Sequence, residues 1–153
     1  MATVPFYRYE AKARLYDYSN RYFICTVSGI SETRSITVLD AECDNDVVGS
    51  SILEHLAEYS FKEIHKADDK LTDWPAFRAS GAKSVKAFEK DLWQVHIAVM
   101  NSAVMFDAQP RKSNDPHDLF ASTSANRNLP DMIGAALRSA LSAAKLLREH
   151  GGF

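Results

Sequence analysis

Hydrophobic and polar residues alternate along the first part of the chain, and this alternation predicts β-strands. Across Tyr7–Leu15 the odd positions are apolar or aromatic and the even positions are charged, the period of two that a half-buried strand shows. Aromatic and β-branched residues fill Tyr22–Val27, after a turn expected at Asp17–Asn20. A third strand is predicted at Ile36–Leu39, following a polar loop at Ser31–Ser35. The simplest arrangement of the three strands is an antiparallel meander.

Apolar residues then recur at helical spacing, which predicts a helix from about Val47 to His65. Asp44 or Asp46 is expected to cap its first turn, because a carboxylate accepts hydrogen bonds from free backbone amides and meets the positive end of the helix dipole. The apolar positions are Val48, Ile52, Leu53, Leu56, Tyr59 and Ile64. This is the central helix of the predicted fold.

The clearest hairpin lies in the segment WQVHIAVMNSAVMFDAQP, with Asn101 and Ser102 as a two-residue loop. The predicted register pairs Val99 with Val104, Ile97 with Phe106 and Val95 with Ala108 on one side, and His96 with Asp107 and Ala98 with Met105 on the other. The preceding SVKAFEKDL segment fits a strand and a short helix equally well. The hairpin therefore supplies two adjacent strands with a defined apolar side.

The C-terminal part of the chain predicts one short strand and one long helix. The segment LFASTSAN reads as the strand. Asn128, Pro130 and Asp131 have the character of a helix cap, first-turn proline and first-turn acid, and Arg148 marks the region where the helix ends. The predicted fold class is α+β, an antiparallel sheet with a central helix and a C-terminal helix packed on it, in a single domain of residues 1–153.

Length and composition place the chain among ordinary globular proteins. A chain of 153 residues can bury roughly 70% of the surface that its unfolded form exposes. No stretch approaches the ~20 apolar residues that a membrane span requires, and the first residues lack the pattern of a secretory signal. We therefore expect a cytoplasmic protein with no membrane role. The two cysteines form no paired motif, and Cys25 is expected in the core.

Acidic residues are concentrated in one segment of the chain. Residues 40–73 contain ten Asp and Glu residues against three Lys residues, a formal charge of −7, whereas the remainder carries +5. Carboxylates occupy every second position from Asp40 to Asp46. Such a surface repels nucleic acid and attracts basic proteins, so no direct nucleic-acid partner is expected.

The alternating acids invite comparison with a calcium-binding loop, but the pattern is incomplete. A loop that starts at Asp40 has Asn45 in place of the required glycine and Ser51 in place of the bidentate acid. A loop that starts at Asp44 has the glycine but places His55 at the acid position. The histidines also lack the spacing of a zinc site. We therefore expect no metal and no cofactor.

Catalytic motifs are equally absent from the sequence. His96 opposite Asp107 resembles a base with an orienting carboxylate, but no nucleophile motif or glycine-rich oxyanion element accompanies the pair. The chain contains no GxGxxG, Walker or GxSxG motif. The sequence predicts that the protein is not an enzyme.

A family resemblance enters through the C-terminal half of the chain. The segment SGAKSVKAFEKDLWQVHI, followed by the hairpin, a polar loop and the helix NLPDMIGAALRSAL, resembles a subgroup of the immunity proteins of bacterial contact-dependent growth inhibition (toxin/immunity) systems. The resemblance implies binding to the C-terminal toxin domain of a cognate effector, often a nuclease, and neutralisation by blocking its active site inside the producing cell. It transfers no individual binding residue.

The charge argument alone assigns the predicted partner-binding residues. Nuclease clefts are basic because they hold phosphates, so clustered carboxylates can compete for that surface. The predicted set is Asp40, Glu42, Asp44, Asp46, Glu54 and Glu58, with Trp74 as an exposed neighbour. Two alternatives stay open: a small enzyme with an unrecognised site near His96 and Asp107, and an adaptor domain of another complex.

Overall fold

A computed structural model describes residues 10–62, 70–112 and 120–150. Its strands are β1 (Ala11–Tyr18), β2 (Arg21–Ser28), β3 (Ser31–Asp40), β4 (Trp93–Met100), β5 (Ala103–Pro110) and β6 (Ala121–Asn126). Its helices are α1 (Asn45–Ala57), α2 (Pro75–Ser80), α3 (Val85–Lys90) and α4 (Pro130–Glu149), with a 3₁₀ turn at Leu71–Asp73. No helix in these described ranges is both long and apolar enough to cross a membrane.

The six strands form one antiparallel sheet in the order β3-β2-β1-β4-β5-β6. Two meanders, β1-β2-β3 and β4-β5-β6, therefore meet where β1 pairs with β4. The α+β fold and the predicted hairpin are confirmed: β4 and β5 are joined by a turn at Asn101 and Ser102, and Val99 pairs with Val104. His96 also pairs with Asp107 as predicted.

The N-terminal strands have different limits from those the sequence predicts: β1 begins at Ala11, and Tyr7–Tyr9 of the predicted first strand lie outside the described residues. β1 continues to Tyr18, and the turn is confined to Ser19 and Asn20, which both adopt positive φ. The polar segment Ser31–Ser35, predicted as a loop, is part of β3. It tolerates polar side chains because β3 is the edge strand of the sheet, where one side of the backbone and much of the side-chain surface face water.

Helix α1 ends earlier than predicted, at Ala57 instead of near His65. The backbone then leaves helical geometry, because Ser60 forms a bridge with Ser28 and its carbonyl accepts a 2.7 Å hydrogen bond from the amide of Gly29. This pairing with the end of β2 competes with continuation of the helix. Ile64 and His65, assigned to the helix from spacing, lie outside the described residues.

The helix caps differ in detail from those predicted. Asp44 occupies the N-cap position of α1, and its backbone carbonyl accepts from Val47 and Val48, but its carboxylate makes no cap hydrogen bond. At α4 the cap residue is Leu129 instead of Asn128, with Pro130 as the first helical residue. The C-terminal helix itself has the predicted extent.

Helices cover the two faces of the sheet unequally. Helices α1 and α4 pack on one face, around a core that includes Leu15, Ile52 and Leu137. On the other face, the short helices α2 and α3 cover only part of the sheet, around Tyr16 and Phe88. Cys25 is buried in this second cluster, as expected for a core residue. The uncovered part of this face leaves the middle of β1, β4 and β5 accessible.

Candidate functional site

The predicted acids lie along the exposed side of α1 and in the loop that precedes it. Helix α1 buries Val48, Ile52 and Leu56 against the sheet, which turns Asp46 and Glu54 toward solvent. All six predicted carboxylates belong to exposed residues; we call Asp40, Glu42, Asp44, Asp46, Glu54 and Glu58 the acidic surface. The loop acids and the helix acids are thus exposed on two consecutive elements of the chain.

Arg138 of α4 holds the acidic loop in place. Its guanidinium group donates to the carbonyl oxygen of Ala41 at 3.0 Å, and also to the carbonyl oxygen of Cys43 and the side-chain oxygen of Asn45. Within the loop, the carboxylate of Asp40 accepts a 2.8 Å hydrogen bond from the amide of Glu42. A cation that binds several carbonyl groups orders the loop and offsets part of the repulsion among its acids. No local pattern in the sequence indicates this role of Arg138.

Glu58 differs from the other acids because hydrogen bonds fix its carboxylate. Oε2 of Glu58 accepts from the hydroxyl groups of Thr26 and Ser35, each at 2.8 Å. These two hydrogen bonds to the charged form lower the pKa of Glu58. The carboxylate is thus held ionised and aimed along β2 and β3, at the C-terminal end of the acidic surface.

A buried histidine lies directly beneath Glu58. His55 is 3% exposed, with Nδ1 2.7 Å from Oγ1 of Thr26 and Nε2 2.8 Å from Oγ1 of Thr37. Because the Thr26 hydroxyl donates to Glu58, it accepts from Nδ1–H of His55, and neutral Nε2 accepts from Thr37. Burial lowers the pKa of His55, against the opposing effect of Glu58 and Glu54. Its position three residues after Ile52, on the buried side of α1, was the available sequence signal.

The expected position of Trp74, exposed beside the acids, is wrong; its part in partner binding stays a prediction. Its ring makes edge-to-face contacts with Tyr16 at 5.2 Å and Phe88 at 5.0 Å, in the cluster on the opposite face of the sheet from α1. Its indole N–H points to a carboxylate oxygen of Glu32 at 3.4 Å. Trp74 is half-buried, because the aromatic cluster under α2 and α3 uses it as a packing residue.

The His96–Asp107 pair lies on the uncovered part of that opposite face. Together with Lys12 and Arg14, the two residues line a pocket of about 210 Å³. Partial desolvation in this pocket and the nearby Arg14 charge lower the pKa of His96, although Asp107 opposes them. The hydroxyl group of Ser122 donates to the carboxylate of Asp107 at 2.5 Å. An activated nucleophile would instead bond to the imidazole.

Metal-binding side chains do not converge in the described part of the chain. No group of three or more His, Cys, Asp or Glu side chains there is arranged to hold a metal ion. The carboxylates of the acidic surface are spread along a loop and a 13-residue helix. Their arrangement fits the recognition of an extended basic surface better than the enclosure of one cation.

Comparisons with known proteins reveal similarity in structure only. No family model and no curated protein matches the chain. A protein of unknown function from Neisseria meningitidis is 19% identical over 88% of this chain and 94% of that chain, with a TM-score of 0.65. A chain of the CdiA-CT/CdiI toxin and immunity complex from Yersinia pseudotuberculosis is 16% identical over 86% of this chain and 95% of that chain, with a TM-score of 0.62. The likeness is one of fold.

Proposed function

We propose that this chain is an immunity protein, which binds and neutralises a cognate toxin domain. The observation that carries the proposal is the acidic surface on a fold shared with a chain of a toxin and immunity complex. The fold supports the class of protein. The acidic surface supports the place and the chemistry of binding, which are inferred from the charges of this chain alone.

The toxin domain that fits this surface best is basic, and we propose that it is a nuclease. A nuclease must hold a polyanion, so its cleft carries Lys and Arg side chains. Carboxylates at Asp46 and Glu54 can approach those cations in place of phosphates and exclude the nucleic acid. Inhibition in this scheme is occlusion of the active site and requires no catalysis by the immunity protein.

The acidic surface is well suited to rapid association. Opposite charges on two proteins raise the association rate by steering the encounter, and this effect weakens as salt screens the charges. Arg138 orders the loop and two hydroxyl groups order Glu58, so part of the surface is preorganised before binding. Preorganisation lowers the entropy cost of forming the complex.

The direct test is protection of cells from the toxin. The candidate partner is to be sought in a toxin-like reading frame immediately upstream of the gene, and the C-terminal domain that this frame encodes is then expressed with and without this chain. We expect the chain to co-purify with that domain and to restore growth. If the folded chain does not bind the domain, or binds it without protecting the cells, the proposed function is contradicted.

A further inference from the structure

A groove with a cationic rim lies between α3 and the C-terminal turn of α4. It has a volume of about 830 Å³ and shares no residue with the acidic surface. Its rim carries four basic side chains and its wall includes apolar ones; we call Lys86, Lys90, Lys112, Arg148, Leu71 and Val85 the cationic groove. This concentration of positive charge contrasts with the negative net charge of the chain.

The one acid in the lining, Glu89, is neutralised within the protein. Its side chain is 11% exposed, and its carboxylate pairs with Arg111 at 3.4 Å and with Lys112 at 3.1 Å. No salt bridge among the described residues engages Lys86 or Lys90, which lie four residues apart on α3. The rim thus keeps a net positive charge that internal pairing does not cancel.

The remaining cation and the apolar wall are positioned for contact. The guanidinium carbon of Arg148 lies 5.3 Å from the centre of the Trp93 ring, an arrangement that restricts the side chain at the rim. Leu71 is 60% exposed, and Val85 is half-buried beside it. A ligand that fills the groove would therefore meet apolar surface and positive charge at the same time.

We propose that the cationic groove binds an acidic, partly apolar segment of a partner polypeptide. Carboxylates of such a segment would pair with Lys86, Lys90 and Arg148, and an apolar side chain would cover Leu71. A single-stranded nucleic acid fits less well, because it is held by stacking on aromatic rings as well as by cations. The described lining of the groove contains no aromatic residue.

The test measures how the 153-residue chain binds a fluorescein-labelled peptide, Glu-Leu-Glu-Glu-Leu-Glu. Fluorescence anisotropy of the label reports the binding. We expect the wild-type protein to bind the peptide saturably. Lys86→Glu combined with Lys90→Glu should weaken the affinity about tenfold, because two modest ion pairs are lost and repulsion replaces them. The control combines Arg34→Glu with Lys62→Glu, which changes the net charge equally at exposed positions outside the groove. It should alter the affinity much less.

Two further measurements separate the possible outcomes. Leu71→Ser leaves the charge unchanged and should weaken peptide binding severalfold, and chemical shifts of the wild-type protein should change at residues 84–90. Melting curves verify that each variant is folded. The proposal is overturned if the wild-type protein does not bind the peptide, or if both double variants weaken binding equally. Tighter binding of a labelled oligonucleotide with the same dependence on Lys86 and Lys90 would also overturn it, in favour of nucleic acid.

Discussion

The hydroxyl group of Thr26 lies between the side chains of His55 and Glu58, donating to Oε2 of Glu58 at 2.8 Å and lying 2.7 Å from Nδ1 of His55. One residue of β2 therefore connects a buried imidazole to a carboxylate of the acidic surface. Because the hydroxyl group has a single proton, its donation to Glu58 fixes the direction of the hydrogen bond from His55. The protonation of the buried His55 ring and the position of the Glu58 carboxylate are therefore coupled through Thr26.

Thr26→Val tests this connection, since valine has nearly the same shape but no hydroxyl group. We expect the substitution to raise the pKa of Glu58, which loses a hydrogen bond to its charged form. It should also lower the free energy of unfolding by about 1–3 kcal/mol, because the buried Nδ1–H of His55 loses its partner. Carboxyl NMR titration and urea unfolding measure the two effects.

Ser35→Ala is the matched control for the Thr26 variant. It removes the other hydroxyl group that binds Glu58, but at an exposed hydrogen bond with no buried partner. The pKa of Glu58 should rise again, whereas stability should change by less than about 1 kcal/mol. Equal losses of stability in the two variants would show that the link to His55 does not matter.

His55 predicts a loss of stability on mild acidification. An unfolded histidine has a pKa of about 6.5, and burial lowers the pKa of His55 in the folded state. Between the unfolded pKa of about 6.5 and the lower folded-state pKa, the unfolded chain binds a proton at His55 and the folded chain does not. The free energy of unfolding therefore falls as the pH drops through this range. Urea unfolding of the wild-type protein across this range measures the slope.

Two single variants assign that slope. His55→Gln should reduce the pH dependence, and His96→Gln should reduce it as well, because the folded-state pKa of His96 is also lowered. The quantity to compare is the slope of the free energy of unfolding against pH. The absolute stability is unsuitable, because His55→Gln also changes the hydrogen bonds to Thr26 and Thr37. A slope unchanged in the His55 variant would contradict the assignment.

Helices α1 and α4 cross closely at Gly49 and Gly134. A Cβ atom added at Gly49 would overlap the carbonyl group of Pro130, and one added at Gly134 would overlap that of Asn45. Gly49→Ala should therefore cost about 3 kcal/mol of stability or more, because two backbones must separate. Gly81→Ala is the control: this residue has φ +75° and open space around it, so only backbone strain of about 1 kcal/mol is expected.

Arg138→Met tests whether α4 holds the acidic loop. Loss of the charged hydrogen bonds to the loop should lower the free energy of unfolding by about 1–3 kcal/mol and speed hydrogen exchange at the amides of Glu42 and Cys43, which bond within the loop. Arg127→Met removes an exposed pair with Glu10 and should cost less than about 1 kcal/mol. Unchanged amide exchange in the Arg138 variant would show that the loop is ordered without it.

The predictions that succeeded rest on local patterns. The hairpin register followed from alternation, because a strand that buries one side must place Val99 and Val104 on that side together. Helix α4 was predicted well because local signals mark both of its ends: Pro130 is its first residue, and Arg148 lies in its last turn. In these elements the local signal and the tertiary packing agree.

The predictions that failed depend on contacts between distant parts of the chain. The end of α1 is set by pairing of Ser60 with Ser28, which no local spacing reveals. Trp74 was predicted beside the acids because it is close to them in sequence. Its segment packs on the other face of the sheet, and tertiary contacts, which local sequence does not show, determine that face. The anchoring role of Arg138 likewise required the packing of α4 against the loop.

The most direct test of the proposed role is the rate of binding to the toxin domain with two acids reversed. Glu42→Lys combined with Glu54→Lys should slow association about tenfold or more at low salt, and added salt should shrink the difference. Asp91→Lys combined with Glu149→Lys is the control, since it makes the same charge change at exposed positions outside the acidic surface. Stopped-flow measurements of the association rate should separate the two variants clearly, provided that both have the melting temperature of the wild-type protein. Equal association rates for both folded variants would contradict binding through the acidic surface.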